Sequence, residues 1–190
     1  MIPREDGGAV FTAEYYSVTV SGDRNAETTV YHHGPVIAAS VNAKGDLDWG
    51  HAIPKNQIYR KRPIGIGGAI GWFGSSFWFS LSKDQTVYHS YLLGISEGSL
   101  NFIYNDHPDN IKITHNRNTR VLNGYKNSVP VSVIITPDGK MTKKILSEKD
   151  KSEVVLRPGI SWQVEYDHAV IYGTRKKEEK IGVIEFLGED

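Results

Sequence analysis

The feature that most constrains this chain is an alternation of short runs rich in β-branched and aromatic residues with turns rich in Gly, Pro, Asn or Asp. Residues 9–20 carry Val10, Phe11, Thr12, Tyr15, Tyr16, Val18, Thr19 and Val20. Residues 28–33 end at Gly34-Pro35, and residues 36–41 end in a small polar turn over 42–46. Residues 47–53, with Trp49 central, follow. β-Branched and aromatic side chains fit a pleated, half-buried surface, so these runs predict strands. A strand, a short Gly-bearing turn and a second strand predict a hairpin. The same grammar returns at 131–135 and 141–146, joined by Thr136-Pro137-Asp138-Gly139. It predicts further pairs at 87–95 with 99–104, turned by Glu97-Gly98, and at 160–166 with 169–174, turned by Asp167-His168. Residues 181–187 read as a last strand, and the mixed-sign run 175–180 as a solvated turn before it. No segment shows a helical period. Residues 147–153 tolerate helix but are short and polar, which predicts a loop.

Residues 36–47 align with residues 130–141, with Gly45 falling on Gly139. Both copies are a strand, a polar turn and a charged return strand. The pattern predicts one all-β domain over 1–190, built of antiparallel blade-like sheets at roughly 7–57, 77–146 and 158–188. That is a partial β-propeller or propeller-like assembly. Blades bury their faces against neighbours, and closed rings take four or more. So few units leave edges and faces open, which predicts a homo-oligomer.

Composition narrows the partners. Lys plus Arg is 22 and Asp plus Glu is 22, so the formal net charge is zero. That excludes a binder held by phosphate neutralisation, and hence a nucleic-acid partner, as well as a polybasic membrane-surface protein. There is no cysteine, so thiolate chemistry and disulfides are absent. The first residues contain no apolar run after a basic start, so no secretory signal is encoded in this chain. Neither a G-x-S-x-G elbow nor a phosphate loop in a strand–helix frame occurs, and no cofactor is expected.

Three motifs carry a resemblance. Residues 6–15 begin Asp6-Gly7-Gly8 and end Glu14-Tyr15. Residues 44–57 combine Gly45, Trp49 and Ile53-Pro54-Lys55-Asn56-Gln57. Residues 104–110 read Tyr104-Asn105-Asp106-His107-Pro108-Asp109-Asn110. Together they resemble a group of uncharacterised bacterial β-propeller-like envelope proteins from Bacteroidetes-type genomes. The resemblance spans most of the chain and rests on structural motifs. It implies the C-terminal portion of an exported protein of the periplasm or cell envelope. The stretch after Gln57 departs from that pattern.

Two places carry candidate sites. Residues 63–82 hold no charge and include five glycines and Trp72, Phe73, Trp78 and Phe79. Glycine weakens a helix, which argues against a membrane span despite the length. The segment reads as a Gly-rich loop leading into a buried strand, or as an exposed aromatic surface whose four rings stack on a sugar or anchor a protein partner. Asn105, Asp106, Asp109 and Asn110 are oxygen-rich within a few residues. They read as turn caps, or as a calcium site. The seven histidines show no H-x-x-x-H pair. His32 and His33 are adjacent on a strand and so face opposite sides.

Two functional readings follow. The first is a non-catalytic binding or scaffold module of the envelope, with a glycan or protein partner. The alternative is a glycan-acting hydrolase using a carboxylate pair in a loop cleft; Glu14, Asp46, Asp106 and Glu165 are available, with nothing in the sequence pairing them.

Overall fold

The computed structural model describes residues 1–22, 27–61, 85–125, 127–146, 154–165, 167–175 and 178–186. The expected strand-turn grammar appears as all-β, essentially antiparallel architecture, with only short 3₁₀ turns as helical structure among the described residues. In chain order, β1 (Ile2–Pro3), β2 (Ala9–Ser21), β3 (Thr28–Val41), β4 (Leu47–Ile53) and β5 (Gln57–Lys61) start the first sheet. β6 (Leu92–Ser96) and β7 (Ser99–Asp106) start a second. β8 (Leu122–Asn123) returns to the first sheet and lies parallel to β5. β9 (Val129–Ile135) and β10 (Met141–Ile145) complete the second sheet, in the order β10-β9-β7-β6. β11 (Val155–Leu156), β12 (Trp162–Gln163), β13 (His168–Arg175) and β14 (Glu178–Glu185) form the third.

The second sheet is the middle layer. Every residue of β7 and β9 is buried, which an antiparallel strand shows only when both its faces are covered. Leu100, Phe102 and Tyr104 alternate with Ile103 along β7 and pack with Val10, Val36, Ala38 and Ile53 of the first sheet. Ile103 turns the other way, to Leu156, Ala169, Ile171 and Phe186 of the third. Truncating a ring as enclosed as Phe102 to alanine costs about 3–5 kcal/mol.

The aligned turns match in detail. Gly45 and Gly139 both sit at positive φ, +90° and +87°, where glycine alone is unstrained. Each donates its N–H three residues back, Gly45 to Asn42 O at 3.0 Å and Gly139 to Thr136 O at 2.8 Å. The two hairpins touch across the sandwich: Trp49 Nε1 donates to Pro137 O at 3.1 Å.

The first sheet departs from a simple meander at Gly34-Pro35. Between the Glu14–Val36 and Tyr16–His33 pairs, β3 carries an extra residue, a bulge that bends the strand. A Cβ on Gly34 would stand 2.7 Å from the Tyr15 ring, so only glycine fits beneath it. Beyond the bulge β3 changes neighbour: residues 36–41 pair with β4, residues 29–33 with β5. The link Pro54-Lys55-Asn56 crosses at that corner and drops Lys55 inside.

One expected strand is shorter than the sequence implies. Residues 85–88 form a 3₁₀ turn and β6 begins only at Leu92. The interruption is Ser90, whose φ of +68° no strand accommodates.

Candidate functional site

Of the residues singled out by sequence, Trp72, Phe73, Trp78 and Phe79 lie outside the described residues. The oxygen-rich motif divides. Asn105 faces the third sheet, where its amide donates to Tyr88 O and Leu156 O, both at 2.8 Å, and accepts from Leu156 N at 3.1 Å. Asp106, fully buried on the opposite face of β7, meets Lys143 Nζ at 2.8 Å and Asn110 Nδ2 at 2.8 Å. Asn110 also clasps the backbone of Arg120, accepting its N–H at 2.7 Å and donating to its carbonyl at 2.8 Å. Asp109 is exposed beside Arg120 Nε at 3.1 Å. The structure thus brings Asp106 and Asn110 together and keeps Asn105 and Asp109 apart from them. At Asp106, Lys143 supplies the positive charge that a calcium ion would bring.

A second polar cluster, centred on Glu14, forms where β3 bends. Glu14 Oε1 accepts from Lys55 Nζ at 2.5 Å; Oε2 accepts from Ser90 Oγ at 2.9 Å and meets His33 Nδ1 at 3.1 Å. The Lys55 ammonium is wholly buried and also donates to Gln57 Oε1 at 3.1 Å. Gln57 in turn donates through Nε2 to Asn105 O at 2.7 Å and accepts the Ser90 N–H at 2.8 Å. Those bonds hold Ser90 in its left-handed conformation, which costs about 1–2 kcal/mol for a non-glycine residue.

The charges in this cluster are settled by their neighbours. Burial alone would raise the Glu14 carboxyl; the hydrogen bond to His33 and the charge of Lys55 outweigh it and bring it down to about 2. Burial pulls Lys55 below the usual lysine range, against the opposing pull of Glu14. An ionised carboxylate only accepts, so His33 presents Nδ1–H to Glu14.

Above this floor opens a pocket of about 430 Å³ lined by Tyr16, Tyr31, His33, Tyr59, Lys61, His89, Ser90 and Gly159. Its rings run in an unbroken series of contacts. Tyr16 meets His33 at 4.8 Å between centroids, His33 stacks on His89 at 5.8 Å, His89 meets Tyr59 at 5.9 Å, and Tyr59 stacks on Tyr31 at 5.9 Å. His32, next along β3, turns to Asn56 Oδ1 at 3.0 Å and to the ring of Tyr15.

Sequence reasoning named Glu14 only as one of several acids and missed the rest. The signals were present in His32-His33 ahead of Gly34-Pro35 and in Lys55 within Ile-Pro-Lys-Asn-Gln. A lysine beside a proline carries no mark of burial, and the bulge that gathers these residues is a property of pairing.

A larger cleft of about 1010 Å³ spans the ends of the three sheets. Ile2, Val10, Trp49, Ile95, Leu100 and Val164 form its walls, and Glu5, Asp6, Glu97 and Glu165 lie along it. Its arginine, Arg4, is engaged by Asp6, Asp48 and Ser40. Glu165 stands near Asp167 and His168 in an exposed turn. No described helix is long and apolar enough to cross a membrane.

Comparison of the chain with protein-family models, with curated proteins and with solved structures finds no match.

Proposed function

We propose that this chain is a non-catalytic binding module whose ligand is a short glycan seated in the Tyr16–Tyr31–Tyr59 pocket. The observation that carries this reading is the continuous wall of five rings over a floor whose carboxylate is already neutralised. Aromatic faces stack on the apolar faces of sugars, while phenol and imidazole edges supply hydrogen bonds. The volume suits a small ligand. Glycoside hydrolysis instead needs two facing carboxyl groups, one of them protonated at working pH. Glu14, beneath the lining, stays ionised down to about 2, and no carboxylate lines this pocket among the described residues. Ser90 gives its hydroxyl hydrogen bond to that weak base, which is no arrangement for a nucleophile.

The test is ligand-observed NMR with a panel of neutral and acidic oligosaccharides, run beside a reducing-end assay. Binding without turnover is expected, weakened at least roughly tenfold in Tyr59→Ala. A panel in which nothing binds, or accumulating reducing ends, would refute the reading.

The finer architecture and setting are proposed on the same footing. Three sheets packed face to face, and successive in the chain but for the return of β8 to the first, suit neighbouring blades of a propeller-like assembly in the periplasm or cell envelope. Apolar rows remain exposed on both outer layers, Phe11 and Ile37 on the first, Trp162, Ile181 and Val183 on the third. A second copy of the chain would cover them, which analytical ultracentrifugation at rising concentration measures; a strict monomer contradicts it.

A further inference from the structure

We infer that the glycan taken by the ring-lined pocket carries a carboxylate, as in a uronic-acid sugar, and that Lys61 is the residue that reads it; this rests on the binding reading above. The argument is one of charge. Among the described residues, the lining of this pocket contains one formal charge, the Lys61 ammonium, and no acid. Glu14, bonded to the lining residues His33 and Ser90, has both oxygens occupied, and its charge is matched by Lys55 rather than by Lys61. The Ser90 hydroxyl and the His33 Nδ1–H are already given to Glu14, but the tyrosine hydroxyls of the wall can donate, which suits a ligand rich in acceptors. Lys61 ends β5 with its side chain exposed, two residues from Tyr59 and hence on the same face of the strand. An ammonium beside a ring face is positioned for a sugar that stacks through its apolar face and projects an acidic substituent from its edge.

The other cleft has the opposite sign. Glu5, Asp6, Glu97 and Glu165 line it, and its arginine is already shared between Asp6 and Asp48. An acidic sugar is therefore disfavoured there and directed to the smaller pocket. An ammonium–carboxylate contact is long-ranged relative to a neutral hydrogen bond, so it also acts on selection between similar sugars.

The experiment is isothermal titration of the whole chain at low ionic strength with tri-galacturonic acid and with its methyl ester. The ester keeps the sugar rings and removes the charge. The acid is expected to bind roughly tenfold more tightly than the ester, and the difference to shrink as salt is added. In Lys61→Met, which alters an exposed side chain, the preference should fall to about twofold or less, with the acid losing more affinity than the ester. Acetate at matched ionic strength should leave the trisaccharide bound. Equal binding of acid and ester overturns the carboxylate assignment and leaves glycan binding standing. Displacement by acetate overturns it in favour of a bare anion hole. An undiminished preference in Lys61→Met overturns the role of Lys61, and binding of neither sugar by a chain that binds other glycans overturns the sugar class. A chain that binds no glycan of any kind refutes the parent reading instead.

Discussion

Among the described residues, two lysine–carboxylate pairs have one fully buried member, and they differ in what stands above them. Lys143 and Asp106 close a loop. The carboxylate is shared with Asn110 and with the backbone N–H of His107, and Asn110 ties down Arg120. Every bond there runs inward to the protein. Lys55 and Glu14 underlie an opening. Their partners His33 and Ser90 form part of a pocket wall, and Ser90 is held in a strained backbone conformation. Strain persists where the surroundings over-determine it, and such places cluster at ligand sites. The contrast separates a polar network that completes a structure from one that presents a surface.

The sharpest way to break the comparison is to remove each lysine. Lys55 is wholly enclosed, and its loss leaves the Glu14 carboxylate without its neutralising cation and takes one hydrogen bond each from Glu14 and Gln57. Lys55→Met is expected to destabilise the chain by about 3–5 kcal/mol, as removal of one partner of a buried pair does. Lys143 is partly exposed, and Asp106 keeps the Asn110 amide and the His107 N–H when it goes. Lys143→Met should cost less, about 1–3 kcal/mol. Urea denaturation of both variants checks the order; equal losses would mean that the two pairs are energetically alike.

A second and smaller effect is the pH dependence that Glu14 confers. Its folded pKa, about 2, lies below the unfolded carboxylate value of roughly 4.3. The folded state therefore binds the proton less readily than the unfolded chain. The contribution is present above the unfolded value and is lost as pH falls through the window toward 2. Allowing for solvent in the pocket, about 2 kcal/mol is at stake. Melting temperatures between pH 5 and pH 2 should fall more steeply for the wild type than for Glu14→Gln. Parallel curves would show that Glu14 titrates normally in the folded chain.

How much of this was legible in the sequence follows from which interactions are local. The hairpins were, because a turn such as Thr136-Pro137-Asp138-Gly139 sets its own geometry, and the Gly45–Gly139 correspondence holds down to matching positive φ values. The all-β class follows from the same local signals. Residues 92–95 are strand as expected, but 87–91 are not, although their apolar and aromatic residues fit one: the break at Ser90 is imposed by Gln57 and Glu14, distant in the chain. The Glu14–Lys55 site was illegible for that reason: four segments meet at a bulge, and nothing in any one of them announces the others. The motif at 105–110 was visible as an oxygen-rich run, yet the alternation of β7 sends Asn105 and Asp106 to opposite faces.

The finest test of the comparison is Ser90 itself. Glycine accepts a φ of +68° without a Cβ penalty, so Ser90→Gly relieves about 1 kcal/mol of strain in the folded state. It also removes the Oγ bond to Glu14, worth about 1–2 kcal/mol because the acceptor is charged, and adds the chain entropy of glycine to the unfolded state. The two losses outweigh the relief, so Ser90→Gly should lower stability by no more than about 2 kcal/mol. The Ser90 N–H bond to Gln57 needs no side chain and is retained. If the left-handed turn serves the pocket, affinity for the acidic trisaccharide should fall by more than stability does, since Glu14 loses the hydroxyl that fixes its orientation beneath His33. Titration calorimetry and chemical denaturation on the same variant give both numbers. A large stability loss with unchanged affinity would assign Ser90 to the fold alone and remove the asymmetry between the two buried pairs.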